Sequence, residues 1–509
     1  MKSKNSLMNF LSSYFIYFIL VILGIFKVKI FLSHLGQDLY ALNQLYVNLY
    51  SYLAIAEGGI SMALIYRLYP RFAQNKTDEI NALYSGTLII YQRIGCGVIL
   101  GGFVLGLGIP LIIKDNALPN LYILLTFMLF VIRSAVDYFY IVPRLIIQAD
   151  QKMYKVNLLV FGSRFFIILA EILIIMWGYD YVWSLVPGIL LTLLANILIN
   201  RHVRKLYPWL KKSPIKDFST TTDTQHLLLH KGLRLITKNI DIVLMSYFLG
   251  ALSVTIYAAY NYFIKFALDS FEHLFNAVKD AMGLLFQEQV PNEVFEKVRD
   301  YFSLFNFVAV VSISLFYLNI NKFITLWIGK AYLTDEVTLV LILILVYVST
   351  LRQSFELTKT ALGKFKETKR IAVIQAALNL GLSLLLVTPL GMKGVILGTI
   401  ISFLVTDFWY YPHAIYQTAC HQPWASYYKT QALNLMVMVL VLGGSNAILN
   451  LVFGSATEFS FALWLVYALC SALLVGAMSI GLSLIVSKPF ERVLRSLSRV
   501  VFKAMAHQS

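Results

Sequence analysis

Polar and apolar positions along this chain do not alternate on a short period. They gather into long apolar runs separated by brief polar breaks. A helix rising 1.5 Å per residue needs about 20 mostly apolar residues to cross a hydrocarbon layer about 30 Å thick. Fourteen runs meet that length: 8–32, 41–66, 85–113, 119–142, 156–178, 180–200, 229–250, 254–282, 300–320, 336–358, 371–388, 392–411, 430–452 and 460–486. They are too long for barrel strands of about 10 residues and lack period-two patterning. The pattern therefore predicts an all-α membrane protein of about 14 transmembrane helices. Lys2 and Lys4 precede the first run, but no small-residue cleavage site follows, so that run is read as a span and not as a signal peptide.

The polar breaks organise the spans. The longest, 201–228, contains KKSPIKDFSTTTDTQH and reads as a flexible cytoplasmic linker. It separates an N-lobe (1–200, spans 1–6) from a C-lobe (229–411, spans 7–12). Two extra spans with almost no polar residues follow within 412–487 and are expected to face lipid. The last stretch, 488–509, sets Arg492, Arg495, Arg499 and Lys503 at helical spacing opposite Val493, Leu497, Val500 and Val501. That spacing predicts a basic amphipathic tail on the inner membrane surface. An internal repeat supports the two lobes. LSHLGQDLYALNQLYVNLYSYLA at 32–54 aligns with SYFLGALSVTIYAAYNYFIKFAL at 246–268, matching Leu35-Gly36 to Leu249-Gly250 and Tyr46 to Tyr260. A repeat of six spans preserves orientation. It predicts two six-helix lobes related by a parallel pseudo-two-fold along the membrane normal.

Composition agrees with a lipid solvent. Only 13% of residues are charged, against about 25% in soluble proteins. The chain has 42 Lys and Arg against 26 Asp and Glu, a net +16. With the N-terminus inside, inner segments hold 26 of these cations, whereas outer loops hold only Lys114, Lys322, Lys330 and Lys393. Basic residues concentrate in cytoplasmic loops, so the bias predicts that both termini are cytoplasmic. It also explains the charge without nucleic acid. Cys96, Cys420 and Cys470 are far apart and suggest neither zinc nor a disulfide framework.

An ionisable residue inside a span costs about 2.5–3.5 kcal/mol on insertion scales and marks a functional candidate. On span 7, Lys231, Arg234, Lys238 and Asp241 share one helical face, as do Asn261, Lys265, Asp269, Glu272 and Asn276 on span 8. Span 2 aligns Asn43, Tyr46, Tyr50, Glu57 and Ser61. Spans 3 to 5 carry Arg93, Arg133 with Asp137, Arg164 and Glu171. Arg133 and Asp137 could neutralise each other within one helix, whereas Arg164 needs a partner from elsewhere. Arg352, Glu356 and Lys359 lie near the inside end of span 10, and Asp407 lies in span 12. Such faces require a solvated chamber, and one rich in cations suits a phosphate or pyrophosphate. The candidate substrate-binding cations are Arg93, Arg133, Arg164, Arg234, Lys238 and Lys265. Tyr46, Tyr50, Tyr257 and Tyr260 are candidates to stack on sugar rings. No Walker motif, HExxH, CxxC or GxSxG is present. No catalytic residue set and no metal site are predicted.

Several stretches resemble the bacterial polysaccharide flippases of the multidrug/oligosaccharidyl-lipid/polysaccharide exporter superfamily. These are KNIDIVLMSYFLGALSVTIYAAY at 238–260, FITLWIGKAY at 323–332 and AALNLGLSLLLVTPLGMKGVILGTIIS at 376–402. The resemblance implies a non-enzymatic, MATE-like transporter in the bacterial cytoplasmic membrane. Its implied substrate is an undecaprenyl-pyrophosphate-linked oligosaccharide, moved from inner to outer leaflet by alternating access for surface polysaccharide such as O-antigen or exopolysaccharide. Its implied partners are membrane lipids and polysaccharide polymerase machinery, with no nucleic acid. No cofactor is implied beyond coupling to a proton or sodium gradient, for which Glu57, Asp241 and Asp269 are the candidate residues. Two alternatives remain open. One is a cation-coupled multidrug exporter of the same superfamily, which the excess of cations disfavours. The other is a membrane-embedded polymerase or glycosyltransferase, which the short outer loops disfavour.

Overall fold

The computed structural model describes residues 2–114, 118–221, 239–288, 291–362, 369–419, 421–454 and 459–496. Among them every regular element is helical. Eleven helices are long and apolar enough to cross a membrane. The chain is therefore a multi-pass membrane protein. The helices account for the fourteen apolar runs as follows. Helix α1 (Lys2–Leu53) contains spans 1 and 2, joined at Gly36, whose φ of 82° and ψ of 174° interrupt the helix. The described part of span 7 is the short helix α7 (Asn239–Phe248). Span 8 is α8 (Ala251–Glu288). The remaining spans are α3 (Thr77–Gly108), α4 (Asn120–Ala149), α5 (Tyr154–Met176), α6 (Tyr181–Leu206), α9 (Pro291–Trp327), α10 (Glu336–Leu362), α11 (Lys369–Leu390), α12 (Met392–Val405), α14 (Ala425–Phe453) and α15 (Phe461–Val486). Two shorter helices, α2 (Ile60–Ala73) and α13 (Asp407–Pro412), extend spans 2 and 12.

Contacts divide the chain into two compact units, Met1–Thr255 and Ile256–Ser509. The division falls inside α8, so α7 groups with the first unit. The repeat recurs as physical detail in the two aligned segments, 32–54 and 246–268. Gly36 and Gly250 both break helices with nearly the same backbone angle, φ of 82° and 83°. Only glycine enters that region without steric cost. Ten positions beyond each glycine stands a tyrosine with no exposed surface, Tyr46 and Tyr260. Tyr46 donates to the Ile123 carbonyl at 2.9 Å and bonds Thr126 Oγ1 at 2.7 Å, in the first turns of α4. Tyr260 donates to Asn321 Oδ1 at 2.6 Å and accepts from the Thr334 amide at 3.2 Å, just ahead of α10. At the repeat offset, Thr334 corresponds to Asn120, the first residue of α4. These two tyrosines pin helices together and are not free to stack on a ligand, contrary to the expectation from sequence. Tyr257 is likewise buried.

In lipid, helices gain little from apolar burial alone, so close approach through small residues matters more. Gly95, Gly102 and Gly106 on α3 meet Phe139, Val131 and Leu124 of α4 so closely that a Cβ would clash. Gly394 and Gly398 on α12 do the same against α11, where a Cβ on Gly394 would sit 2.0 Å from the Leu386 carbonyl oxygen. Helices α14 and α15 are more than lipid-facing additions. Val437, Val441 and Leu449 of α14, with Tyr467 and Val475 of α15, form a core with Val310 and Leu318 of α9. Asn319 of α9 donates to Ser471 Oγ at 3.0 Å, and the Lys322 ammonium lies 4.5 Å from the Tyr467 ring centre. Beyond α15, Arg492 pairs with Glu296 at 2.5 Å and Asp300 at 2.6 Å at the start of α9.

The segment after α6, expected to be a flexible linker, is held down over its described part. Asn81 of α3 bonds the Trp209 carbonyl and the Lys211 amide. Ser85 Oγ accepts from the Ser213 amide at 2.7 Å, and the Ala82 carbonyl accepts from the Asp217 amide at 3.0 Å. The rest of the expected linker, 222–228, lies outside the described residues.

Gly394→Ala is expected to lose about 1–3 kcal/mol by overpacking a backbone contact that cannot retreat. Gly443→Ala, where a Cβ meets nothing within 4 Å, should leave stability unchanged or slightly higher. Thermal unfolding in detergent compares the two; equal midpoints would contradict the packing account.

Candidate functional site

In the first unit, charges on α1, α4 and α5 converge, and those of α4 and α5 each repeat along one helical face. On α4, Arg133, Asp137 and Arg144 are spaced by four and seven residues. On α5, Arg164 and Glu171 are seven apart. Lys27 precedes Phe31 by one turn on α1. Glu171 is only 1% exposed. Its carboxylate accepts from Lys27 Nζ at 2.5 Å and from Arg133 Nη1 at 2.5 Å. One buried carboxylate thus ties three helices. Arg133 does not pair with Asp137 inside α4, correcting that expectation. Asp137 instead accepts from Asn196 Nδ2 of α6 at 2.7 Å. Gly188 of α6 opens the path for the guanidinium; a Cβ there would lie 2.7 Å from Arg133 Cδ.

Two cavities flank this cluster and share Arg133 and Ser134. One, of about 280 Å³, is lined by Lys27, Glu171, Asn43 and Tyr181, whose hydroxyl donates to Asn43 Oδ1 at 2.9 Å. The other, of about 250 Å³, is lined by Asp137, Arg144, Arg164, Asn196 and Tyr50. Arg164 also lies over the Phe161 ring, 5.9 Å from its centre. Around the two cavities four cations (Lys27, Arg133, Arg144 and Arg164) face two carboxylates (Glu171 and Asp137), a surplus of two positive charges. Such a site can take a dianionic group by charge-assisted hydrogen bonds. Drug-sized ligands occupy roughly 300–1,000 Å³, so each cavity suits a headgroup and not an oligosaccharide.

The other sequence candidates fall elsewhere. Arg93 is exposed on α3 and lines neither cavity. Glu57 accepts from the Tyr91 hydroxyl and the Ser61 amide, both at 3.1 Å. Asp241 is buried in α7. Lys265 and Asp269 are half-buried in the second unit, each with partners. Arg234 and Lys238 lie outside the described residues, as do Lys231 and the side chains of Glu272, Asn276 and Lys359. The second unit has its own buried polar cluster. Asp407, 1% exposed, stands where α12 breaks at Thr406 and lies 3.5 Å from Arg352, which also bonds Gln375. Tyr411 donates to Glu356 at 2.9 Å. Arg352 therefore points into helix packing and is not an interfacial anchor.

Sequence reasoning did not single out Lys27 or Arg144. Lys27 sits inside the first apolar run, where the cost of an intramembrane charge already marks it. Arg144 falls just past the apolar run 119–142, but α4 continues to Ala149.

No family profile and no curated protein matches the chain. Solved structures share its fold. A lipid II flippase, MurJ, in an inward closed conformation is 14% identical with a TM-score of 0.61, covering 92% of this chain and 98% of its own. An inward-facing multidrug resistance MATE transporter of the MOP superfamily is 13% identical with a TM-score of 0.56, covering 77% and 93%. A MOP superfamily transporter from Pyrococcus furiosus, described as having a binding pocket of reversed polarity, is 12% identical with a TM-score of 0.55, covering 80% and 95%. The chain has the fold of these transporters.

Glu171→Leu strands two cations and is expected to cost about 3–5 kcal/mol. Lys27→Leu/Arg133→Leu/Glu171→Leu should recover much of that loss, since apolar replacement of a whole buried ion cluster is often neutral. Unfolding midpoints of the two variants test this. A single variant as stable as wild type would show that Glu171 does not hold the helices.

Proposed function

We propose that the protein is a transporter that flips an anionic lipid-linked oligosaccharide, of the undecaprenyl-pyrophosphate class, from the inner to the outer leaflet of a bacterial cytoplasmic membrane. The observation that carries this reading is the surplus of two positive charges kept around cavities inside lipid-length helices. Keeping cations there is costly unless an anion is to be met. Lys27, Arg133, Arg144 and Arg164 hold a phosphate or pyrophosphate, while the sugar chain travels outside the two small cavities. Arg93, Arg234, Lys238 and Lys265 remain candidates for the rest of the path. Glu57, Asp241 and Asp269 are the candidate residues for coupling to a proton or sodium gradient. The product serves surface polysaccharide synthesis beside a polymerase, and the protein itself catalyses no covalent step. The N-terminus and C-terminus are cytoplasmic, following the distribution of basic residues.

A second reading, a multidrug exporter, is favoured by one observation: the MATE structure shares the fold about as well as the lipid flippase does, with TM-scores of 0.56 and 0.61. The sign of the cavity charge separates the two, since a cationic drug is repelled by the surplus of two positive charges.

In proteoliposomes, a fluorescent lipid-pyrophosphate-oligosaccharide should become protected from an external quencher at a rate set by this protein. Arg133→Gln should slow that rate by about tenfold or more, the worth of one charge-assisted hydrogen bond. Export of a cationic dye without movement of the lipid would establish the second reading instead.

A further inference from the structure

We propose that the strap after α6, residues 207–221, is a docking surface for the anionic phospholipid leaflet. This goes beyond the transport reading and does not depend on it.

The strap is basic. From Tyr207 to Thr221 there are three cations, Lys211, Lys212 and Lys216, against Asp217 alone, and Arg201, Arg204 and Lys205 stand just ahead of it on α6. Charge bias by itself would only fix topology, and a mobile loop would serve as well. This segment is instead fastened to the first turns of α3. Asn81, Ala82 and Ser85 hold its backbone through the four hydrogen bonds already described. Gly86 admits it, because a Cβ there would lie 2.0 Å from the Asp217 carbonyl oxygen. Thr220 has no exposed surface, and the turn at Ser219–Thr221 packs on α2 and α3.

Fastening sets the height of the strap. The apolar run of α3 starts near residue 85, and Asp217 lies against Gly86. At Asp217 the strap is therefore level with the start of that apolar run. At that level it leaves Ile215 73% and Phe218 42% exposed, among exposed Lys211, Lys212 and Lys216. A purely solvated strap gains nothing from outward Ile and Phe. Apolar side chains set among lysines at the headgroup level match a surface of anionic lipid, where acyl boundary and phosphate are met together.

The test uses the full chain with its three native cysteines changed to serine and Ile215→Cys added. It is placed in nanodiscs of phosphatidylcholine with or without phosphatidylglycerol. Phosphatidylglycerol should slow modification by a membrane-impermeant maleimide about tenfold. Lys211→Glu/Lys212→Glu/Lys216→Glu should abolish the slowing. Raising salt to about 1 M, where screening acts within about 3 Å, should abolish it too and needs no change to the lysines. Equal rates in the two lipid mixtures would overturn the proposal. So would protection that appears only on adding a soluble protein fraction or nucleic acid.

Discussion

The structure depends on what happens to a charge placed inside a lipid-length helix. Glu171 has almost no exposed surface, and Lys27 and Arg133 reach its carboxylate from two other helices at 2.5 Å each. An isolated carboxylate in that position would be too costly to persist. The neutralising partners must therefore come from across the bundle, and α1, α4 and α5 are tied at the same point. Two cations on one carboxylate leave a positive remainder, and Arg144 and Arg164 add more than Asp137 cancels. The same contact that ties the bundle leaves a surplus of positive charge around the two cavities.

Enclosing such a cluster requires helices to approach without crowding it. Glycines accomplish this at separate levels. Gly95, Gly102 and Gly106 bring α3 onto α4, and Gly188 gives the Arg133 side chain a channel past α6. In the second unit, Gly394 and Gly398 seat α12 against the backbone of α11. Beside that close pair Arg352 meets Asp407 at the break after α12, with Glu356 bonded to Tyr411. The repeat thus keeps the helix breaks at Gly36 and Gly250 and the tyrosine pins at Tyr46 and Tyr260.

The sequence by itself determined the solvent, the helical class and the spans. Apolar run length and charge bias are local quantities, readable without knowing any partner. It also determined the repeat, since Leu35-Gly36 and Leu249-Gly250 mark helix breaks that only glycine adopts without cost. Which charges meet was decided by tertiary structure alone. Arg133 lies one turn from Asp137, and local spacing suggested a pair. The bond to Glu171 wins because α5 brings that carboxylate within reach, while Asn196 satisfies Asp137. Tyr46 and Tyr260 looked available for sugars until their hydroxyls were seen spent on neighbouring helices. The linker looked loose because its composition is polar, yet its bonds to α3 are made by backbone groups, which composition does not report. Pairings across a bundle are set by helix packing, and no window along one helix contains that information.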